Sequence, residues 1–270
     1  MQFQTLDVSL EVGVAHIRFN RPEKSNALNE PMWFELRDAC RWADETPAVR
    51  VVILSGNGRN FCSGIDLSML GALQQTVLAV PPGQRHEVLR HRIRALQECV
   101  SALEGCRKPV IAQIHGACFG GGIDLITACD LRHATADARF CVKEIDVAIV
   151  ADVGTLQRLP RIVGEGLARE MALTAREYTG TEAAGMGLVT RLHANQEILA
   201  KEVSMLAAVM AAKSPLAMRG TKESLNFSRD HTVAEGLAEV AARNAGLLFS
   251  PDIEEAIAAQ RAGRAPRFAD

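Results

Sequence analysis

Two stretches of this chain share one plan. The apolar strand VVILSG (51–56) passes through the polar turn NGRN into FCSGIDL, and the strand PVIAQIHG (109–116) passes through ACF into GGGIDL, with successive glycines at 120 to 122. An apolar strand that runs through glycine into a helical pattern asks for a layered α/β packing, in which glycine lets backbones approach closely. The same rhythm stands at the start, where VSLEV and VAHIRF precede PMWFELRDACRWAD, whose Trp33, Leu36, Ala39, Cys40 and Ala43 fall at helical spacing. A strand–strand–helix unit used twice suggests stacked repeats.

Beyond Leu156 the pattern is mostly helical, from LQRLPRIVG through EILAKEVSMLAAVMAAK and SPLAMRGTKESLNFS, with turn signals in TGTEAAGMGLV. No low-complexity linker separates this part. The expected division is a core over 1–195 and a helical oligomerisation extension over 196–270, packed on the core rather than forming an independent domain. Between the two glycine turns, a loop with PPG (81–83) precedes a long helix through HEVLRHRIRALQECVSALEGC.

With 48% hydrophobic residues the 270-residue chain can bury a substantial core. The formal charge of −2 offers no general attraction to nucleic acid or anionic membranes, so an anionic ligand must be held locally. The seven cysteines are scattered and never spaced C-x-x-C, and neither terminus reads as a targeting signal; a cytoplasmic setting is expected. No run of eighteen apolar residues predicts a membrane span.

Each glycine turn can present unpaired backbone N–H groups at a helix start, where negative charge is favoured. FGGGID lacks the G-x-G-x-x-G spacing and the G-K-[ST] of phosphate loops, which removes the nucleotide reading. Two converging N–H groups can instead hold a thioester oxygen as it becomes an enolate. Taken singly, either turn is as well explained by close backbone packing.

FCSGIDL and HGACFGGGIDL in that order, with FNRPEKSNALN near the start, resemble the enoyl-CoA hydratase/isomerase (crotonase) superfamily from about Val8 to about Phe249. The resemblance implies a spiral of β-β-α units with C-terminal helices, assembled as a homotrimer or homohexamer, and an acyl-CoA substrate. The N–H groups of Ile65 and Gly121 would form the oxyanion hole. Gly64, Asp66, Leu67, Ser68 and Gly122 would line the substrate channel.

Hydratases of this superfamily resemble one another in carrying two glutamates, at places that here hold Asp124 and Glu144, and a glycine where this chain has Asp152. GGGIDL, VKEIDV and ADVGTLQRLP together look like the Δ3,5-Δ2,4-dienoyl-CoA isomerase branch. That likeness implies Glu144 and Asp152 as proton-transfer carboxylates, Asp124 as an assisting acid, a place in fatty-acid β-oxidation, and no metal or redox cofactor. A 1,5 proton shift is served well by one carboxylate at each end. Ile145, Val147, Ile149 and Val150 are expected to surround the pair, exclude water and raise the carboxyl pKa values. Enoyl-CoA hydratase, enoyl-CoA 3,2-isomerase and a non-catalytic binding protein of the same fold are the alternatives.

Blander readings stand beside these. Asp152 precedes VGTLQRL as a helix N-cap would, Asp124 suits the first turn of any helix, and Glu144 could be solvated beside Lys143. Asp146 reads as structural. His115 reads as a packed strand-end residue, Cys62 and Cys118 as small buried thiols, and HEVLRH as a solvated helix. Lys24, Arg219 and Lys222 are candidate contacts for CoA phosphates, with surface charge the simpler account. Met205, Met210 and Met218 read as helix core or subunit interface.

Overall fold

A computed structural model describes residues 2–269. Strands β1 (Leu6–Glu11) and β2 (Val14–Phe19) form an antiparallel hairpin, and helix α1 (Glu30–Glu45) follows. Asn29 caps α1 by accepting the Met32 N–H at 3.1 Å, and a proline enters the first turn, where no N–H is needed. The helix buries Met32, Trp33, Leu36, Ala39, Cys40 and Ala43, which includes every position read from its periodicity. Met32 and Leu36 are of the size that stabilises by roughly 1.5–3 kcal/mol each when fully buried, and the alanines by less.

Strand β3 (Val51–Gly56) is buried at all six residues, as a parallel strand covered on both faces must be. Next come α2 (Leu67–Leu78) and α3 (Pro82–Gly105). The loop expected ahead of the long helix is thus largely helical, because Asp66 caps α2 and the two prolines open α3 rather than break it.

Two β-β-α units follow: β4 (Val110–Ile114), β5 (Ala117–Phe119) and α4 (Gly121–Thr127), then β6 (Leu131–Thr135), β7 (Arg139–Cys141) and α5 (Thr155–Val163). A 3₁₀ turn, Glu144–Val147, lies between β7 and α5. Helix α6 (Glu165–Thr174), strand β8 (Tyr178–Thr179), helix α7 (Gly180–Gly185) and strand β9 (Arg191–His193) complete this region.

The larger sheet runs β1-β2-β3-β4-β6-β9 and is parallel from β2 onward; a smaller one runs β5-β7-β8. The main core joins α1, α3 and α4 to one face of the large sheet. On the other face, Val14, Val51, Ile53 and Ile111 meet Leu199, Val203 and Ala207 of helix α8 (Gln196–Ala211). Helix α8, the first of the C-terminal segment, thus covers this face of the sheet.

Helices α9 (Pro215–Arg229), α10 (Val233–Leu247) and α11 (Pro251–Arg261) end the chain. Lys222 ties α9 inward: its Nζ donates to Asp130 Oδ2 at 2.7 Å and to the Lys108 and Leu103 carbonyls at 3.1 and 3.3 Å. Its side chain is only 6% exposed, so it is neither surface charge nor a phosphate contact. Among the described residues no helix is long and apolar enough to cross a membrane.

Candidate active site

The two glycine turns lie side by side. Cys62 and Cys118 form a parallel bridge, with Cys62 N–H donating to the Ala117 carbonyl at 3.0 Å and Phe119 N–H to the Cys62 carbonyl at 2.9 Å. The first turn is also held by Leu28, whose N–H donates to the Gly64 carbonyl at 2.8 Å and whose carbonyl accepts the Asp66 N–H at 3.0 Å. These bonds leave Ile65 N–H out of the ladder. Gly121 N–H, at the first position of α4, has no intrahelical acceptor.

Glycine is demanded at both places. Gly64 has φ +95°, and a Cβ there would stand 3.0 Å from the Phe119 carbonyl oxygen and 3.6 Å from Gly121 N. A Cβ on Gly121 would come within 2.9 Å of Leu28 Cδ1 and 3.4 Å of the Trp33 ring.

The stretch FNRPEKSNALN is the frame for Leu28. Asn26 is fully buried; its Oδ1 accepts Arg21 N–H at 3.0 Å and its Nδ2 donates to the Asn57 and Asn60 carbonyls at 2.9 and 2.8 Å. Arg21 donates to the Ala27 carbonyl at 2.5 Å and to Asp66 Oδ2 at 3.0 Å. The resemblance drew attention to this stretch without assigning Arg21 and Asn26 a task. Asn before Ala-Leu in a turn is too common a pattern to have disclosed it alone.

Among the residues named for the channel, Asp66 is occupied. Its Oδ1 accepts from Ser68 Oγ at 2.7 Å and Ser68 N–H at 3.1 Å, and these bonds with the Arg21 pair hold its carboxyl below the usual range. Leu67 is 62% exposed at the opening of α2, and Gly122 is buried against Cys62.

The three carboxyls gather around the second turn. Asp124 is 1% exposed in the first turn of α4, and its Oδ1 accepts the Thr155 N–H of α5 at 2.6 Å. Burial, then the neighbouring Glu144 charge, push its pKa up to about 7 against the opposing Thr155 bond; Asp152 adds a smaller push. Glu144 opens the 3₁₀ turn with Oε1 3.3 Å from where a Gly120 Cβ would stand, and its buried Oε2 has no hydrogen-bond partner. Burial is the main cause of its raised pKa, and Asp152 contributes. Asp152 lies at the rim, exposed as a residue, and partial desolvation of its carboxyl raises it.

Several blander readings are settled by this geometry. The N-cap of α5 is Gly154, not Asp152, and Asp124 reaches over from α4 to meet the first N–H of the helix. Lys143 pairs with Asp146 at 2.7 Å, and among the described residues no cation pairs with Glu144. One expectation fails: Ile145, Val147, Ile149 and Val150 are 45, 40, 38 and 70% exposed. The 3₁₀ turn and the left-handed Ala148 after it turn these side chains outward, so they do not shield the pair. His115 is buried with Nε2 2.9 Å from the Gly58 carbonyl oxygen, all seven cysteines are buried and free, and His86 and His91 are exposed on α3.

A mixed sheet flanked by helices, with two glycine turns opposed to a cluster of acids, defines a class: the chain belongs to the enoyl-CoA hydratase/isomerase family, whose model matches residues 9–269. Within that family it is 47% identical to the peroxisomal Delta(3,5)-Delta(2,4)-dienoyl-CoA isomerase of Arabidopsis thaliana, over 99% of this chain and 98% of the relative. It is 41% identical to the mitochondrial Delta(3,5)-Delta(2,4)-dienoyl-CoA isomerase of Homo sapiens, over 93% of this chain and 77% of that protein. In structure it is similar to a putative enoyl-CoA hydratase from Streptomyces coelicolor, with a TM-score of 0.90 at 31% identity over 99% of this chain and 94% of that one. The cytoplasmic expectation is overturned by these relatives, whose names place them in peroxisomes and mitochondria. Seven buried free thiols argue against a disulfide framework but do not separate the cytosol from an organelle.

Proposed function

We infer that this enzyme isomerises 3,5-dienoyl-CoA to 2,4-dienoyl-CoA. The relatives' names supply the substrate class, and the single observation that carries the reading to these residues is Glu144, packed against Gly120 with one carboxylate oxygen buried and unpaired and close enough to Asp124 and Asp152 for the three charges to act on one another. A buried carboxylate oxygen without a donor is costly and is worth keeping where a substrate proton is to be handled.

Asp152 removes a proton from the α carbon, and the electron pair spreads through the dienolate onto the thioester oxygen, held by the N–H groups of Ile65 and Gly121. Glu144 delivers a proton to the sixth carbon, the double bonds shift to the 2,4 positions, and the charge on oxygen is discharged. Substrate and product are isomers, so no redox cofactor is consumed. Asp124 holds the first turn of α5 through the Thr155 N–H and, as an assisting acid, keeps its own proton more readily beside the charge of Glu144. Gly64, Leu67, Ser68 and Gly122 line the acyl-CoA channel, with Asp66 shaping it through its cap. The reaction serves β-oxidation of unsaturated acyl chains, and the chain works as a homotrimer or homohexamer.

Ultraviolet absorbance with 3,5-dienoyl-CoA and 2-enoyl-CoA tests this directly. The wild type should turn over the dienoyl substrate and hydrate the enoyl one poorly, and Glu144→Gln and Asp152→Asn should each lose at least about a hundredfold in kcat. Efficient hydration with no dienoyl turnover would assign the protein to hydratases instead.

A further inference from the structure

Among the described residues no side chain hydrogen-bonds the Asp152 carboxyl, which meets its own backbone N–H instead, so the backbone aims it. The turn that carries it is pinned from two sides. From within, Asp124 Oδ1 holds Thr155 N–H at 2.6 Å. From outside, Gln97, Ser101 and Glu104, spaced four and three residues apart, form one face of α3 turned toward residues 152–158.

Gln97 Nε2 donates to the Asp152 carbonyl at 2.7 Å. Arg158 Nη2 donates to Glu104 Oε2 at 3.0 Å and to Ser101 Oγ at 3.3 Å. The Arg158 guanidinium then lies across Gly154, whose φ of +135° and lack of a Cβ let the arginine sit where a side chain would collide. Ser101 and Glu104 thus hold the turn after Asp152, and Gln97 alone of the three reaches Asp152 itself. The face borders a cleft of about 410 Å³ that Asp152 also lines.

We propose that Gln97 is a positioning residue for the reaction: by fixing the Asp152 carbonyl it sets the peptide plane and hence the direction in which the Asp152 carboxyl points. The role rests on Asp152 acting as the base. Gln97 is solvent-exposed on α3, so replacing it leaves the core intact. A misaligned base lowers the rate of proton removal without weakening the hold on CoA or thioester, because the oxyanion turns are elsewhere.

The test is Gln97→Leu, which keeps the volume and removes the donor, beside Gln97→Lys, which restores a donor, with kcat and KM measured for 3,5-dienoyl-CoA across pH. Gln97→Leu should lose roughly tenfold in kcat, a loss set by one hydrogen bond, with KM within about twofold. Its melting temperature should stay at the wild-type value, the acid limb of its pH profile should move, and Gln97→Lys should recover most of the rate. A wild-type kcat and pH profile in Gln97→Leu, a loss falling on KM, or a fall in melting temperature that Gln97→Lys does not reverse would overturn the proposal. Asp152→Asn run alongside separates the two ideas: if it keeps wild-type kcat, the assignment of the base has failed, whereas an inactive Asp152→Asn with a normal Gln97→Leu defeats only the positioning role.

Discussion

The two sides of this site are built from opposite materials. On the proposed oxyanion side the polar groups are main-chain N–H donors of residues 65 and 121, set by glycines and by ladder bonds to Leu28, Cys62 and Cys118. On the other they are side-chain carboxyls whose pKa values are all raised. A backbone donor cannot titrate and costs nothing to keep in one state, so rigidity alone prepares it. A carboxyl can be prepared only by controlling its solvation and neighbours, and its buried charge is a standing cost.

The sharpest way to break the contrast is to spoil the rigid side without touching an acid. Gly64→Ala forces a Cβ onto a residue at φ +95° and 3.0 Å from the Phe119 carbonyl oxygen, so the two turns must separate. Loss of one oxyanion donor typically costs about 10²–10³ in kcat. That loss, with the acid limb of the pH profile unmoved, is the expected result from steady-state kinetics. A shifted limb would mean that the two sides are not independent.

On the titrating side the effect belongs to stability. Asp124 binds its proton more tightly folded, with a pKa of about 7, than an ordinary aspartate does unfolded. Between those values the native state holds more protons than the unfolded one, so stability falls as pH rises through this window and the full penalty stands above pH 7. Asp124→Asn keeps an oxygen for Thr155 N–H and removes the charge. It should stabilise the fold at pH 8 by roughly 2–4 kcal/mol and have little effect at pH 4, as denaturant melts at the two pH values would reveal. Equal effects at both would assign the residue a purely structural place.

How visible each side is in the sequence follows from the same difference. Glycine before a helix advertises backbone demands, so the turns, the helix α1 face and the β-β-α rhythm could be read from residue types and period. The helix at 67–78 is hard to read because its start signal, Asp66, also belongs to the channel motif, although Asp followed by Ser two residues on is a capping pattern. The carboxyls could be paired only through resemblance. Nothing in KEIDVAIVAD says that its apolar residues face out while Glu144 faces in, since a 3₁₀ turn has neither the helical nor the strand period. Buried Lys222, with a partner ninety-two residues distant, was equally invisible.

Between the two sides stands the frame, and Asn26→Ala should cost about 1–3 kcal/mol because the Asn57 and Asn60 carbonyls and the Arg21 N–H lose their partner in a fully buried place. Thermal melts would measure this. A loss of kcat larger than the loss of folded protein would show that the frame also aims Ile65 N–H.

The smallest effect is expected where chemistry is absent. Cys62 and Cys118 flank the rigid turns, yet both are fully buried, and burial pushes the Cys62 thiol up to about 12 and Cys118 well above its ordinary value. At pH 8 the thiolate fraction of Cys62 is on the order of 10⁻⁴, and the thiolate is the reacting species. Iodoacetamide should therefore leave the activity of the folded enzyme unchanged, with peptide mass spectrometry finding Cys62 and Cys118 unmodified. The bonds that bury these thiols also hold the two glycine turns together. Alkylation of Cys62 faster than global unfolding would mean that the turns part in the native state, and the rigid side of the site would then owe its geometry to bound substrate rather than to the fold.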